Sequence, residues 1–93
     1  MLHGSCHCGR IGWQAEARPT SATICNCTTC RRYGVRWVYG FEGEGMALEG
    51  DTNIYMNDSG RLEFHFCPTC GCLAAWRAVD AYDDGRRRMA LNL

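Results

Sequence analysis

Near its C-terminal end the chain reads Cys67-Pro68-Thr69-Cys70-Gly71-Cys72. A C-P-x-C-G sequence places two thiolates on one tight turn, and the glycine after the second thiolate lets backbone N–H groups point toward sulfur. Two thiolates fill only half of a tetrahedral zinc site, so two further ligands must come from elsewhere in the chain. The stretch therefore predicts a fold in which distant segments meet at this turn and are held together by metal.

The other cysteines provide the missing ligands. Of the eight cysteines in 93 residues, two more lie in Cys6-His7-Cys8-Gly9 and three lie between residues 25 and 30. Pairing the N-terminal two with the first stretch gives a closed four-thiolate site, which is typical of structural zinc, and the binding energy of zinc can be folding energy in a small domain. The ligands would be Cys6, Cys8, Cys67 and Cys70. A secreted disulfide scaffold is the alternative, but few neighbours this close form unstrained disulfides.

The middle cluster, Cys25, Cys27 and Cys30, offers three thiolates within six residues and no fourth cysteine beside them. Three protein ligands with one vacant position are typical of a catalytic or exchangeable zinc. Three thiolates make the zinc centre a weak Lewis acid, better suited to holding a thiolate than to generating hydroxide. We therefore expect a small thiol as substrate. Cys72 keeps three interpretations: it closes this site, replaces a ligand of the first site, or is an unligated core residue.

Composition and charge argue against several classes of protein. A chain of 93 residues predicts a single domain over residues 1–93 with a small core that needs a staple. The formal net charge is zero, so we expect no nucleic-acid partner. We find no run of about twenty apolar residues and no secretory signal, so we expect no membrane association and a cytoplasmic location, where thiols stay reduced. The oligomeric state is not indicated.

Alternating apolar and polar residues predict an all-β fold of short antiparallel strands, with the cysteines in the connecting loops. Strands are expected over residues 11–17, 21–25, 35–41, 53–56, 61–67, 73–78 and 89–93. The sequence Asn57-Asp58-Ser59-Gly60 predicts a hairpin turn, and helix is expected only around residues 28–32. Alternation within 61–67 places His65 opposite the apolar face, and His7 points away from its neighbours in the C-x-C turn. We therefore expect both histidines at the surface rather than on a metal.

Charged and aromatic residues near the middle cluster are candidates for substrate binding. Arg31 and Arg32 follow the cluster directly and would pair with substrate carboxylates, although two solvated arginines are the alternative. Trp37 is assigned to the pocket wall together with Tyr39, although aromatic residues two apart also occur in cores and on sheet surfaces. The run of arginines at residues 86–88 predicts a solvated hairpin tip.

Taken together, the three cysteine stretches resemble the family of glutathione-dependent formaldehyde-activating enzymes, whose domain also occurs in a centromere-associated protein. The matching residues are Gly4-Ser5-Cys6-His7-Cys8-Gly9, Cys25-Asn26-Cys27-Thr28-Thr29-Cys30-Arg31-Arg32 and Phe66-Cys67-Pro68-Thr69-Cys70-Gly71. The resemblance implies a zinc-stapled β-tent fold with two zinc sites. The implied ligands are Cys6, Cys8, Cys67 and Cys70 for a structural ion, and Cys25, Cys27 and Cys30 for a catalytic one. Cys72 departs from the family, which usually has a small hydroxyl residue there.

The resemblance also implies an activity. Members of the family are described as carbon–sulfur lyases that act on S-hydroxymethylglutathione in either direction, by addition of a zinc-bound glutathione thiolate to formaldehyde. The alternative is a non-catalytic zinc module that binds a protein or nucleic acid. The vacant coordination position of the middle cluster favours the enzyme. A rubredoxin-like iron protein is disfavoured, because it needs two C-x-x-C turns and the N-terminal pair here is C-x-C.

Overall fold

The computed structural model describes residues 1–57 and 59–93, which form eight β-strands and one short helix. The strands are β1 (Leu2–Ser5), β2 (Gly12–Ala15), β3 (Trp37–Phe41), β4 (Met46–Glu49), β5 (Asn53–Met56), β6 (Leu62–Phe66), β7 (Leu73–Ala78) and β8 (Arg88–Asn92). The helix, α1, spans Cys30–Tyr33. The prediction of an all-β fold of short antiparallel strands is confirmed. No helix in the described part of the chain has the length and apolar character needed to cross a membrane.

A three-stranded antiparallel sheet in the order β1–β2–β4 forms one layer. Trp13 and Ala15 alternate with half-buried residues along β2 and are themselves buried, as expected for a strand with one covered face. Gly4 pairs with Trp13 across the β1–β2 ladder. A side chain at Gly4 would overlap the indole ring of Trp13, so only glycine allows the two strands to pair at this register.

A five-stranded antiparallel sheet in the order β3–β8–β7–β6–β5 forms the second layer. Its central strands are buried on both faces, which explains their nearly continuous apolar sequences. On one face Ala75, Met89 and Leu91 pack against Trp13 and Ala15 of the smaller sheet. The other face is covered by the segment that contains α1, through Cys30 and Val35. The middle cysteines therefore lie over the outer face of the larger sheet.

Several boundaries differ from the sequence predictions. No strand forms over residues 21–25, where Thr23 makes only an isolated bridge to Trp37 with two backbone hydrogen bonds of 2.8 Å. Strands β1 and β4 were not predicted, because each has four residues and depends on pairing with β2 rather than on its own pattern. The helix begins two residues later than expected and ends at Tyr33, followed by the C-cap residue Gly34, whose φ of 65° is left-handed.

The turn predicted at residues 57–60 joins β5 to β6, as expected. The backbone N–H of Gly60 donates to the carbonyl of Asn57 at 2.9 Å, and the Asn57 side-chain oxygen accepts from the N–H of Leu62 at 3.2 Å. Asp58, which was part of that prediction, lies outside the described residues.

The prediction for His65 was wrong, whereas His7 is exposed as expected. His65 is 4% exposed because the sheet is covered on both faces, so the side opposite Phe64 is not solvent. Its ring nitrogens lie 2.6 Å from Thr52 Oγ1 and 3.3 Å from Glu63 Oε1. Desolvation, opposed by the Glu63 contact, lowers the pKa of His65.

Candidate metal centres

Four cysteine sulfurs from the two ends of the chain converge on one point. Their Sγ atoms all lie within 4.8 Å of one another, and they belong to Cys6, Cys8, Cys67 and Cys70. The sulfur of Cys8 is 3.6 Å from that of Cys6 and 3.5 Å from that of Cys67. A tetrahedral zinc with Zn–S bonds of 2.3 Å places its sulfurs about 3.8 Å apart. Both the donor set and its spacing therefore fit Zn²⁺, and the structure brings together the four residues that the sequence pairs.

Local turns aim these sulfurs. After His65 the β6–β7 ladder shifts register, and the strand then runs into the turn that starts at Cys67. The backbone N–H groups of Thr69 and Cys70 donate to Cys67 Sγ at 3.3 and 3.4 Å, and the N–H of Ile11 donates to Cys6 Sγ at 3.3 Å. Such N–H donors orient thiolate ligands and stabilise their charge.

The pKa values of the thiols in this first site are shifted in opposite directions. The N–H of Ile11 lowers the pKa of Cys6, and the N–H groups of Cys72 and Cys8 lower the pKa of Cys70 to about 5. At Cys8 the N–H of Arg10 also lowers the pKa, but desolvation and the neighbouring sulfurs outweigh it and raise the pKa to about 11. Without a cation, the crowded thiols do not all ionise readily, because neighbouring thiolate charges repel one another. A bound divalent cation would offset that repulsion.

Cys72 lies beside this first site and away from the middle cluster. Its side chain packs with Cys70 against the buried group that contains Ile11, Cys67 and Ala74. Among the described residues its sulfur belongs to neither group of converging ligand atoms. The position agrees with the interpretation of Cys72 as an unligated core residue, and its backbone oxygen accepts a 2.9 Å hydrogen bond from the N–H of Cys67.

The sulfurs of Cys25, Cys27 and Cys30 form a second group, again within 4.8 Å of one another. Cys30 opens α1 and is buried, and its backbone N–H donates to Cys27 Sγ at 3.3 Å. Burial raises the pKa of the Cys30 thiol to about 12, whereas the N–H of Cys30 lowers the pKa of Cys27. The indole N–H of Trp37 donates to Cys30 Sγ at 3.3 Å. Three soft donors fixed in this way can hold one zinc ion and leave a coordination position open.

A cavity of about 370 Å³ lies directly over this second group. One wall carries the three cysteines with Thr28 and Thr29, and the opposite wall is the outer face of the five-stranded sheet. The sheet contributes Trp37, Tyr39, Leu62, Phe64 and Trp76 to the lining, while Asn57 and Ser59 lie at its edge. The volume falls within the range of small-molecule sites. Trp37 thus lines the cavity and also donates to a candidate ligand, while its assignment to substrate binding stays a prediction.

Arg31 and Arg32 are placed differently. Both are exposed on α1, and neither is among the residues that line the cavity. The Arg32 guanidinium donates to the carbonyl of Thr28 at 2.6 Å and faces a separate hollow shared with Tyr33 and Tyr55. Their assignment to substrate binding stays a prediction.

Arg88 was missed by the sequence reasoning, which placed residues 86–88 at a solvated hairpin tip. Arg88 is instead the first residue of β8, half-buried, with its guanidinium carbon 5.5 Å from the ring centroid of Tyr39 and 5.9 Å from that of Trp76. The signal was present in the alternation of β8, because Arg88 shares a face with Ala90, whose neighbours form the cavity wall.

Comparisons with known proteins found a matching family and a similar solved structure. The sequence model of the family described as glutathione-dependent formaldehyde-activating enzyme matches residues 1–88. A crystal structure of a Rhodobacter sphaeroides protein superimposes with a TM-score of 0.74 and 21% sequence identity, covering 98% of this chain and 84% of that protein. At this identity the likeness shows the fold alone. No curated protein matches the chain.

Proposed function

The chain belongs to the family of glutathione-dependent formaldehyde-activating enzymes, and we propose that it handles the adduct of a small thiol with an aldehyde, such as S-hydroxymethylglutathione. Its reaction would be that of a zinc-dependent carbon–sulfur lyase, which makes or breaks the bond between the thiol sulfur and the aldehyde carbon. One observation carries the proposal: three clustered thiols form part of the wall of a cavity large enough for a small molecule. A closed structural zinc site would not place an open coordination position in a cavity wall.

The two cysteine groups take different roles in this proposal. The closed group ties the N-terminal turn to the turn after β6, and its role is structural; it consists of Cys6, Cys8, Cys67 and Cys70. The open group is the candidate catalytic centre, formed by Cys25, Cys27 and Cys30. Zinc bound there would offer a fourth coordination position and lower the pKa of a thiol that occupies it.

The protein's own residues supply the surroundings of the reaction. The aromatic side chains of the sheet form an apolar wall, which would keep water from that side of a bound substrate. The indole N–H of Trp37 fixes the Cys30 sulfur and bears part of its negative charge, as outer-shell donors to ligands generally do. Thr28 and Thr29 line the same cavity, and their hydroxyl groups would supply donors for the oxygen of an incoming aldehyde.

Metal analysis with cobalt substitution tests the proposal. In the cobalt-loaded protein, glutathione should intensify the sulfur-to-metal charge-transfer band and shift the d–d bands, because a fourth thiolate joins the metal. Cys27→Ser should abolish that response, whereas Cys72→Ser, a cysteine outside both groups, should retain it. Exchange of formaldehyde with glutathione, followed by NMR, should be accelerated by the zinc protein. An unchanged cobalt spectrum at saturating glutathione would refute the proposal and favour the non-catalytic zinc module.

A further inference from the structure

A second cavity, of about 520 Å³, adjoins the one over the middle cysteines. The two cavities share Leu62 and Trp76, so they meet along the outer face of the five-stranded sheet. Their linings differ in charge. Among the described residues, the first cavity is lined by thiols, aromatic rings, hydroxyls and one amide, with no arginine. The second contains Arg61, Arg88 and Asp80.

Strand register places Arg88, which lines the second cavity, on the same face of the sheet as the residues that line the first. Leu62 pairs with Ala78 across β6 and β7, and Arg88 pairs with Phe41 across β8 and β3. Each of these residues lies two positions from one of the wall residues Phe64, Trp76, Ala90 and Tyr39, and so points to the same face. The guanidinium carbon of Arg88 lies 5.5 Å from the Tyr39 ring centroid and 5.9 Å from that of Trp76, and both rings line the cavity over the cysteine cluster.

Arg88 also differs from its neighbours in how its charge is satisfied. Arg77 and Arg87 lie 3.2 and 3.9 Å from the carboxylate of Glu42, and Arg86 lies 2.9 Å from Glu44. Within residues 1–57 and 59–93, Arg88 contacts aromatic faces and no carboxylate within 4.0 Å. These cation–π contacts use none of the N–H groups of the guanidinium, which can therefore donate to a ligand.

We propose that Arg61 and Arg88 form a carboxylate-binding subsite for the thiol substrate, whose sulfur lies at the Cys25–Cys30 cluster. This inference rests on the proposed function and deepens it. Glutathione carries two carboxylates and one ammonium group along a flexible tripeptide, and the second cavity offers two guanidinium groups and the carboxylate of Asp80. Arginine binds carboxylates through paired N–H donors, so this subsite selects a thiol with carboxylates over a simple alkyl thiol.

The test compares two thiols on the cobalt-loaded protein: glutathione, which carries the carboxylates, and 2-mercaptoethanol, which lacks them. Arg88→Gln should raise the dissociation constant of glutathione by roughly 10- to 100-fold, because a charge-assisted hydrogen bond is lost. The same change should alter the dissociation constant of 2-mercaptoethanol by no more than about twofold. Arg61→Gln, at an exposed residue, should shift glutathione in the same direction and cannot disturb the sheet core. Arg18→Gln, which removes an equal charge from an exposed residue outside both cavities, is the control.

The outcomes separate this subsite from thiol activation. If glutathione changes the cobalt spectrum with the same dissociation constant in wild type, Arg88→Gln and Arg61→Gln, the subsite is refuted and the proposed function stands. If neither thiol changes the spectrum, the proposed function fails. Calorimetry with S-methylglutathione, which has both carboxylates and no thiol, then decides the subsite independently. Binding that weakens at least tenfold in Arg88→Gln supports it, and equal or absent binding overturns it.

Discussion

Replacing Cys67 by serine should destabilise the protein far more than replacing Cys27. Cys67 is 0% exposed, accepts two backbone N–H hydrogen bonds on its sulfur, and belongs to a site that joins residues 59 positions apart. Cys27 is exposed, and its partners lie within six residues. The unfolded chain can therefore still chelate zinc through the middle cluster, whereas it cannot assemble the four-thiolate site. Only metal that binds the folded state in preference to the unfolded state stabilises the fold.

The structure gives the size of the difference. Loop-closure entropy grows with the logarithm of the loop length, so joining residues 59 apart rather than five apart is worth about 2 kcal/mol more. If Cys67→Ser weakens zinc a thousandfold, the linked loss is about 4 kcal/mol. That is a large share of the 5–15 kcal/mol typical of a domain, so the variant should unfold at a much lower temperature. For Cys27→Ser we expect a loss of about 2 kcal/mol or less.

Thermal unfolding followed by circular dichroism, at matched free zinc, measures this difference. For a domain of this size 1 kcal/mol corresponds to roughly 4–8 °C, so the midpoint of Cys67→Ser should lie about 10 °C or more below that of Cys27→Ser. Metal content should confirm that each variant loses the expected ion. Equal midpoints for the two variants would show that both sites are structural, and the catalytic role of the middle cluster would lose its main support.

Three further perturbations have defined outcomes. Burial lowers the folded-state pKa of His65, so the unfolded state binds the proton more readily, and the stability present above about pH 6.5 should fall as the pH drops. The denaturant midpoint should therefore decline less with falling pH in His65→Gln than in the wild type. Parallel declines in the two proteins would contradict this. Trp37→Phe removes the N–H donor to Cys30 and should weaken zinc at the middle site by roughly 10-fold in chelator competition, while Trp76→Phe, in the same cavity wall, should not. Gly4→Ala overlaps the indole on the adjoining strand and should lower the free energy of unfolding by about 1–3 kcal/mol in urea titration, and an unchanged midpoint would show that the β1–β2 register is not fixed by this contact.

Strands with long apolar patterns were predictable because the apolar residues of each strand indicate its burial. Leu73–Ala78 is such a strand and has the predicted boundaries. Asn53–Met56 also has them, although all four of its residues are exposed, because the turn signal at residues 57–60 marks its end. The four-residue strands β1 and β4 carry no such pattern, since their place depends on β2, a partner distant in sequence. Residues 21–25 have suitable composition, but they lie beside β3 at one pair only and form a bridge instead of a strand.

The candidate site also contains some residues that the sequence predicted and others that it did not. Cysteine spacing predicted both groups of sulfurs, because ligand number and tetrahedral geometry restrict the choices strongly. Sequence proximity suggested Arg31 and Arg32 as partners of the substrate, yet α1 carries them outside the cavity lining. Arg88, 58 positions beyond Cys30 in the sequence, reaches the cavity region only through the pairing of β8 with β7 and β3. Which charged residues face a cavity depends on sheet register, and local sequence does not determine it.

The bridge between Thr23 and Trp37 joins the segment before the middle cysteines to the edge of the larger sheet. The paired strands of the two sheets form a frame that is held together elsewhere, by the four-thiolate site. Heritable changes at the exposed positions of residues 25–36 can therefore reshape one wall of the cavity while the two sheets persist, provided that the buried residues Cys30 and Val35 are kept. A lineage that carries this frame is free to exchange one small thiol for another, or to abandon catalysis and keep a stable scaffold for other partners. Divergence of chemistry on a retained architecture is the expected history of such a domain.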